Sequence, residues 1–206
     1  MAAADAAWVL SAAGFALAMS ATPGPNNAMV AASGATFGIP RTLPHILGVS
    51  VGFPVMFAAV ALGAGAAFEA HPPLTRALHW IGAAYLAWLA WHVAAARPGP
   101  QTEGTGRARP LHFIEAAAFQ WVNPKAWLIA VSGVAAYATE GGRVAAARVL
   151  ILAALFLLVC VPVVTLWCGL GAGTARILRT RRQMRLFNMA MAAVLVASLI
   201  PMLTGR

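Results

Sequence analysis

Charge is what this sequence has least of. Only 9% of its 206 residues are Asp, Glu, Lys or Arg, where a soluble globular domain carries about 25%. The acids are five and scattered: Asp5, Glu69, Glu103, Glu115 and Glu140. That dispersal offers no carboxylate cluster to a metal, and no metal or cofactor is expected. Lysine occurs once, at Lys125, beside thirteen arginines. The two cysteines, Cys160 and Cys168, stand eight residues apart in one apolar run, about 12 Å along a helix at ~1.5 Å per residue. A disulfide needs Cα atoms within about 7 Å, so the two are not expected to pair. The sequence has no HExxH and no GxxxxGK[ST]. Zincin and P-loop ATPase chemistry are thereby excluded within this chain, and an enzyme is not expected.

Apolar residues fill the space instead. They make up 61% of the chain, with a mean hydropathy of +0.79. Six apolar segments span roughly 6–39, 42–68, 74–96, 111–137, 144–173 and 184–204, each at or above the ~20 residues that cross a bilayer as a helix. The fold expected is all-α: a polytopic integral membrane protein forming one membrane domain over residues 1–206. Asp5 and the lack of a basic residue before the first segment do not fit a cleaved signal peptide. That segment is expected to stay in the mature protein.

The stretch RPGPQTEGTGRARP, Arg97 to Pro110, has no apolar pattern and reads as an exposed linker. It divides the chain into repeat 1 (1–96) and repeat 2 (111–206), with three segments each. An odd number of spans per half puts the halves in opposite orientations. The formal charge of +9 and pI near 11.5 then read as arginines that set topology, and no nucleic-acid partner is expected. With the N-terminus outside, the inner loops hold Arg41, Arg97, Arg107, Arg109, Arg176, Arg179, Arg181, Arg182 and Arg185. The outer regions hold Arg76, Arg143, Arg148 and Arg206. Nine against four favours both termini outside.

Each half opens with an interrupted segment. The first, 34 residues long, would reach about 51 Å as one helix against a ~30 Å hydrocarbon core. It carries Thr22-Pro23-Gly24-Pro25-Asn26-Asn27 in its middle, where two shorter helices are expected to meet. The second carries FQWVNPKAW, with Asn123-Pro124-Lys125 in mid-segment. Pro/Gly interruptions at matching points of two halves point to the binding site of a secondary transporter. Either Thr22 or Asn26 is expected to cap the helix leaving the first break, and Asn123 the helix leaving the second, with Pro124 first in it. Such helix N-termini at membrane depth suit the carboxylate of an amino acid. Asn26 and Ser33, seven apart, share a helical face, as do Gln120, Asn123 and Trp127 at i, i+3 and i+7.

Lys125 is the most informative residue, because a charge at a helix centre costs about 2.5–3.5 kcal/mol. It is expected to pair with a substrate carboxylate or to exchange a proton. The alternatives are a snorkelling lysine or one that donates to the loose carbonyls of the break. Glu115 lies inside the fourth segment, two turns before Asn123. It is a candidate for a substrate ammonium or a proton, or an interfacial residue beside His112. His45 reads as structural more than as a relay. Trp80, Tyr85, Trp88 and Trp91 read as belt and packing residues. Gly34/Gly38 and Gly48/Gly52 permit close helix contact, within the chain or in a homodimer.

TPGPNNAMVAASGATFGIPRTLPHILGVSVGF, then HWIGAAYLAWLAWH, then FQWVNPKAW together resemble the LysE/RhtB family of amino-acid exporters. The resemblance extends over nearly the whole chain. Its motif positions here are Pro23, Gly24, Pro25, Asn123, Pro124 and Lys125. It implies export of amino acids or their derivatives from the bacterial cytoplasm across the inner membrane, driven by the proton gradient. Asn26-Asn27 and GAAYLAWLAW look most like the branch that contains the cysteine/O-acetylserine exporter, whereas NPKA at the second motif departs from that branch. Neutral substrates of the homoserine, threonine or cysteine type suit the scarcity of intramembrane carboxylates.

Overall fold

The computed structural model describes residues 2–95, 109–140, 143–178 and 180–200. The linker expected at 97–110 therefore lies outside the described residues except for Arg109 and Pro110. Arg97, Arg107, Arg179 and Arg206 lie outside them too. The described chain is almost entirely helical: α1 (Ala2–Ala21), α2 (Pro25–Ala59), α3 (Gly65–Ala70), α4 (Pro72–Ala95), α5 (Phe113–Phe119), α6 (Pro124–Gly133), α7 (Ala146–Ile177) and α8 (Arg181–Ala197). Wider turns at Val60–Ala64 and Val134–Ala138 and a tight turn at Gln120–Val122 interrupt them. A two-residue antiparallel pair, β1 (Thr139–Glu140) and β2 (Arg143–Val144), precedes α7.

Two helical stretches, Pro25–Ala67 and Ala146–Thr174, are long and apolar enough to cross a membrane, and Asp5–Ala21 and Trp80–Ala95 are shorter apolar helices. Leu10, Trp80, Trp91, Leu158 and Leu166 point outward and are more than half exposed. Helices apolar on their outer as well as their inner faces belong in lipid.

Segments one and two are expected to be separate, and helical backbone passes from one to the other with a single break. What separates them is Gly38, at φ 75° and ψ 170°, a left-handed backbone that glycine adopts freely. The chain turns back there. Ser33 and His45 would lie about 18 Å apart on a straight helix, yet Ser33 Oγ and His45 Nδ1 are 3.2 Å apart. Pro40 has no N–H to continue the ladder across the turn, and Thr42 Oγ1 donates to Gly38 O at 2.8 Å. A second glycine, Gly63 at φ 120°, ends the following helical arm.

Contact pairs fix the helix directions. Trp8 meets Arg148, Phe15 meets Phe156 and Ser20 meets Cys160, so α1 and α7 run side by side in the same direction. Gly48 lies on Phe113 and Gly52 on Ala117, so α2 and α5 are also parallel. Gly82 lies on Val122 and Tyr85 on Phe119, so α4 runs against the fourth segment. Gly34, Gly48 and Gly52 thus serve close packing inside the chain, while Gly38 serves the turn.

The core lies where α1, α2 and α7 meet. Phe156 of α7 stacks edge-on against Phe53 at 4.8 Å and lies 5.5 Å from Phe57. Both cysteines are buried and free.

Candidate functional site

The two breaks come together. Asn26 of the first and Gln120 of the second exchange a reciprocal pair of amide hydrogen bonds: Asn26 Nδ2 donates to Gln120 Oε1 at 2.9 Å, and Gln120 Nε2 donates to Asn26 Oδ1 at 3.1 Å. Gln120 is fully buried, and its amide also reaches Ala116 O at 2.9 Å. Residues ninety-four apart in sequence thereby lock break to break. An unmatched buried amide costs about 1–3 kcal/mol. Asn26→Ala and Gln120→Ala are each expected to destabilise by that much, and the double variant no more than the worse single one. Unfolding of all four proteins checks this; strictly additive losses would show that the amides act independently.

The first break is built differently from the sequence expectation. α1 ends at Ala21, and Thr22 turns its hydroxyl back to Ala18 O at 2.6 Å. Gly24, not Thr22 or Asn26, is the N-cap of α2, with Pro25 first in the helix and no side chain capping it. Asn26 is committed to Gln120. Asn27 reaches backwards, its Nδ2 donating to Ser20 O at 2.8 Å and Thr22 O at 3.0 Å, and so satisfies the end of α1. The prolines explain the division of labour. Pro23 and Pro25 have no N–H to donate to preceding carbonyls, so side chains must supply the donors.

The second break follows expectation. Asn123 is the N-cap of α6, its Oδ1 accepting from Lys125 N at 3.1 Å, and Pro124 is first in the helix. The face expected from Gln120, Asn123 and Trp127 does not form. The tight turn at 120–122 interrupts the helical count, and Trp127 Nε1 donates to Trp121 O at 2.8 Å instead. Asn26 and Ser33 do lie seven apart in the unbroken arm of α2 before Gly38, and Ser33 bonds buried His45 across the Gly38 turn.

Lys125 crosses between the breaks. Its ammonium donates to Thr22 O and, at 3.5 Å, to Pro23 O. Among the described residues it has no carboxylate partner. Gly24 makes this approach possible, since a Cβ there would lie 2.7 Å from Lys125 Cδ.

Beneath Lys125 lies a cavity of about 40 Å³, bounded by Ser20, Asn26, Asn27, Asn123, Phe53 and Cys160 among others. That is room for a few waters at ~10–15 Å³ each and not for an amino acid. Gly24 and Lys125 also face this cavity, whereas Pro23, Pro25, Gln120 and Pro124 shape its walls from outside it. Sequence reasoning missed Ser20 and Cys160, whose Oγ and Sγ are 3.4 Å apart. Cys160 carries a signal, a polarisable atom in an apolar run, that its spacing from Cys168 does not bring out.

Glu115 is elsewhere. Both its oxygens bind Arg109, at 2.9 and 3.1 Å, and Oε2 also accepts from His112 N at 2.8 Å. The carboxylate raises the Arg109 guanidinium further above its ordinary pKa. These contacts describe an ion-paired start to α5 beside His112.

The LysE type translocator family model matches residues 17–199. Curated relatives include cysteine/O-acetylserine efflux proteins of Klebsiella pneumoniae, 34% identical over 116 residues, and of Salmonella choleraesuis, 32% identical over 119. A third, from Escherichia coli strain K12, is 34% identical over 119 residues. Each match spans 56% of this chain and 58% of the relative, so the aligned part is little more than half of either. No solved structure matches. With the family model covering nearly the whole chain, both breaks and Lys125 included, this protein belongs to the family of LysE type translocators.

Proposed function

We propose that this protein is a secondary active exporter of neutral amino acids or their derivatives, of the homoserine, threonine or cysteine type. Its cargo binds between the two breaks and crosses the bacterial inner membrane by alternating access, with protons as the coupling ion. The observation that carries the reading is the meeting of two interrupted apolar segments around a small cavity to which Asn26, Asn27, Asn123 and the chain's single lysine contribute polar groups. The printed names of the relatives, cysteine/O-acetylserine efflux proteins, support the substrate class. The small size of the cavity supports a substrate-free state that must widen to admit cargo.

The helix directions support six spans in two inverted halves. In such a chain spans one and five, and spans two and four, run parallel, while three and four oppose; α1 with α7, α2 with α5 and α4 with α5 keep those relations. Both termini then lie outside, with the arginine-rich loops inside. The lipid bilayer surrounds the outward apolar residues, and a second copy of the chain is a further partner. Of the two alternatives open for Lys125, the snorkelling one loses ground and the contacts are those of the carbonyl-donating one; the exporter reading adds that an ammonium at the break is placed to meet a carboxylate.

Overexpression in cells challenged with a panel of toxic amino acids and analogues tests the reading. Protection against neutral members is expected. Protection against none, with insertion verified, would leave a non-transporting scaffold; unsaturable leak without response to a pH gradient would mark a passive channel.

A further inference from the structure

We propose that the carbonyls of Thr22 and Pro23 form the subsite for a substrate's ammonium group, and that Lys125 fills this subsite as a tethered stand-in while the carrier is empty. The inference rests on the exporter reading and adds to it a recognition chemistry: a zwitterion carrying both a free ammonium and a free carboxylate.

The chain ends α1 at Ala21 and resumes helix at Pro25, leaving backbone carbonyls at the negative end of a helix. Neither Pro23 nor Pro25 offers an N–H. One donor comes from Asn27, whose amide takes Ser20 O and Thr22 O. The other is the Lys125 ammonium, on Thr22 O and Pro23 O. A primary ammonium is thus already the group that this end of α1 accepts, and a substrate's α-ammonium has the same three donors. On the other side, Lys125 meets carbonyls and no carboxylate among the described residues. α2 begins at Gly24 without a side-chain cap, so positive potential gathers on that side of the cavity.

An incoming zwitterion satisfies both sides at once. Its carboxylate draws the Lys125 ammonium off the carbonyls, and its own ammonium replaces it there. Hydrogen bonds are exchanged one for one, no net charge enters the membrane, and the volume swept by the lysine is released to the cargo. An amine without a carboxylate can take the carbonyls only by expelling Lys125 into a site with no counter-charge. An N-acylated amino acid has the carboxylate but no ammonium for the carbonyls.

Binding to purified full-length protein, by titration calorimetry, tests this with homoserine, aminopropanol (the same skeleton without carboxylate) and N-acetylhomoserine. For the wild type, aminopropanol and N-acetylhomoserine are expected to bind at least about tenfold more weakly than homoserine, the size of one charge-assisted hydrogen bond. Lys125→Met empties the subsite, so aminopropanol should bind about tenfold more tightly than to wild type while homoserine weakens. Gly24→Ala, whose Cβ would crowd Lys125 Cδ at 2.7 Å, should shift aminopropanol the same way with the lysine retained. Aminopropanol affinity unchanged or lowered in both variants overturns the proposal, as does N-acetylhomoserine binding like homoserine. The amine comparison sets variant against wild type, so it decides even where homoserine is not the cargo. Transport with a flat amine response would sink the subsite alone. The amine gain without transport in vesicles would sink the exporter reading alone.

Discussion

Lys125→Ala is expected to reduce initial transport rates at least tenfold at wild-type amounts of inserted protein. The side chain joins the two breaks through Thr22 O and Pro23 O. Alanine removes a donor from two carbonyls and the cation that a cargo carboxylate would meet. Charge-assisted hydrogen bonds contribute about 1.5–3 kcal/mol, or roughly ten- to a hundredfold in binding. Lys125→Arg should recover little, because a planar guanidinium is not a compact ammonium and would have to fit over Gly24, where the lysine stem already lies close. Efflux rates normalised to protein in the membrane fraction check this. A Lys125→Ala protein that transports normally would reduce the lysine to a structural tie and remove it from the proposed site.

Gly171→Ala is expected to lower the thermal unfolding midpoint in detergent by roughly 5 °C or more, from an overpacking cost of about 1–3 kcal/mol. α2 and α7 share the most extensive interface in the fold, and they touch backbone to backbone. A Cβ on Gly171 would lie 1.9 Å from Ala31 O, and one on Gly34 would lie 2.2 Å from Cys168 O. Neither neighbour is a flexible side chain that can step aside, so the helices themselves must part. Gly169, one turn-fraction away on α7, has nothing within 4 Å of a built Cβ. Gly169→Ala is therefore the matched control and should leave the midpoint unchanged or raise it slightly, alanine being the better helix former. Equal effects of the two substitutions would show that helix propensity, not close approach, governs α7.

The order and extent of the apolar segments were legible because hydropathy over twenty residues is a strong signal. The interruptions at TPGPNN and NPK were legible because proline and asparagine are costly in a buried helix. Asn123 as N-cap with Pro124 behind it followed from local grammar alone, and the structure keeps it. The first break did not follow from the same grammar. Thr22 and Asn26 are both good caps, but Gln120 and the end of α1 recruit Asn26 and Asn27, and Gly24 takes the cap by default. Long-range partners decided it, and a window of six residues does not contain them.

The turn at Gly38 was also hidden, although FGIPR held its ingredients. Gly34 and Gly38 have the spacing of a packing pair, and only the left-handed φ of Gly38 separates the two roles. The cavity wall was half legible. Its asparagines and lysine stood out against apolar surroundings, whereas Phe53, Phe156 and Cys160 looked like any core residues. Glu115 stood out for the same reason as Lys125, as a charge in an apolar segment, yet Arg109 and the His112 amide account for it.

Efflux from proteoliposomes containing the purified full chain tests the central claim most directly. Vesicles preloaded with labelled homoserine, threonine, cysteine or O-acetylserine are diluted with and without an imposed pH gradient. The account predicts saturable efflux of at least one of these, faster when the gradient drives protons against the direction of export, and lost in Lys125→Ala. Efflux that never saturates and ignores the gradient, or no movement of any of the four from vesicles with correctly folded protein, would contradict it.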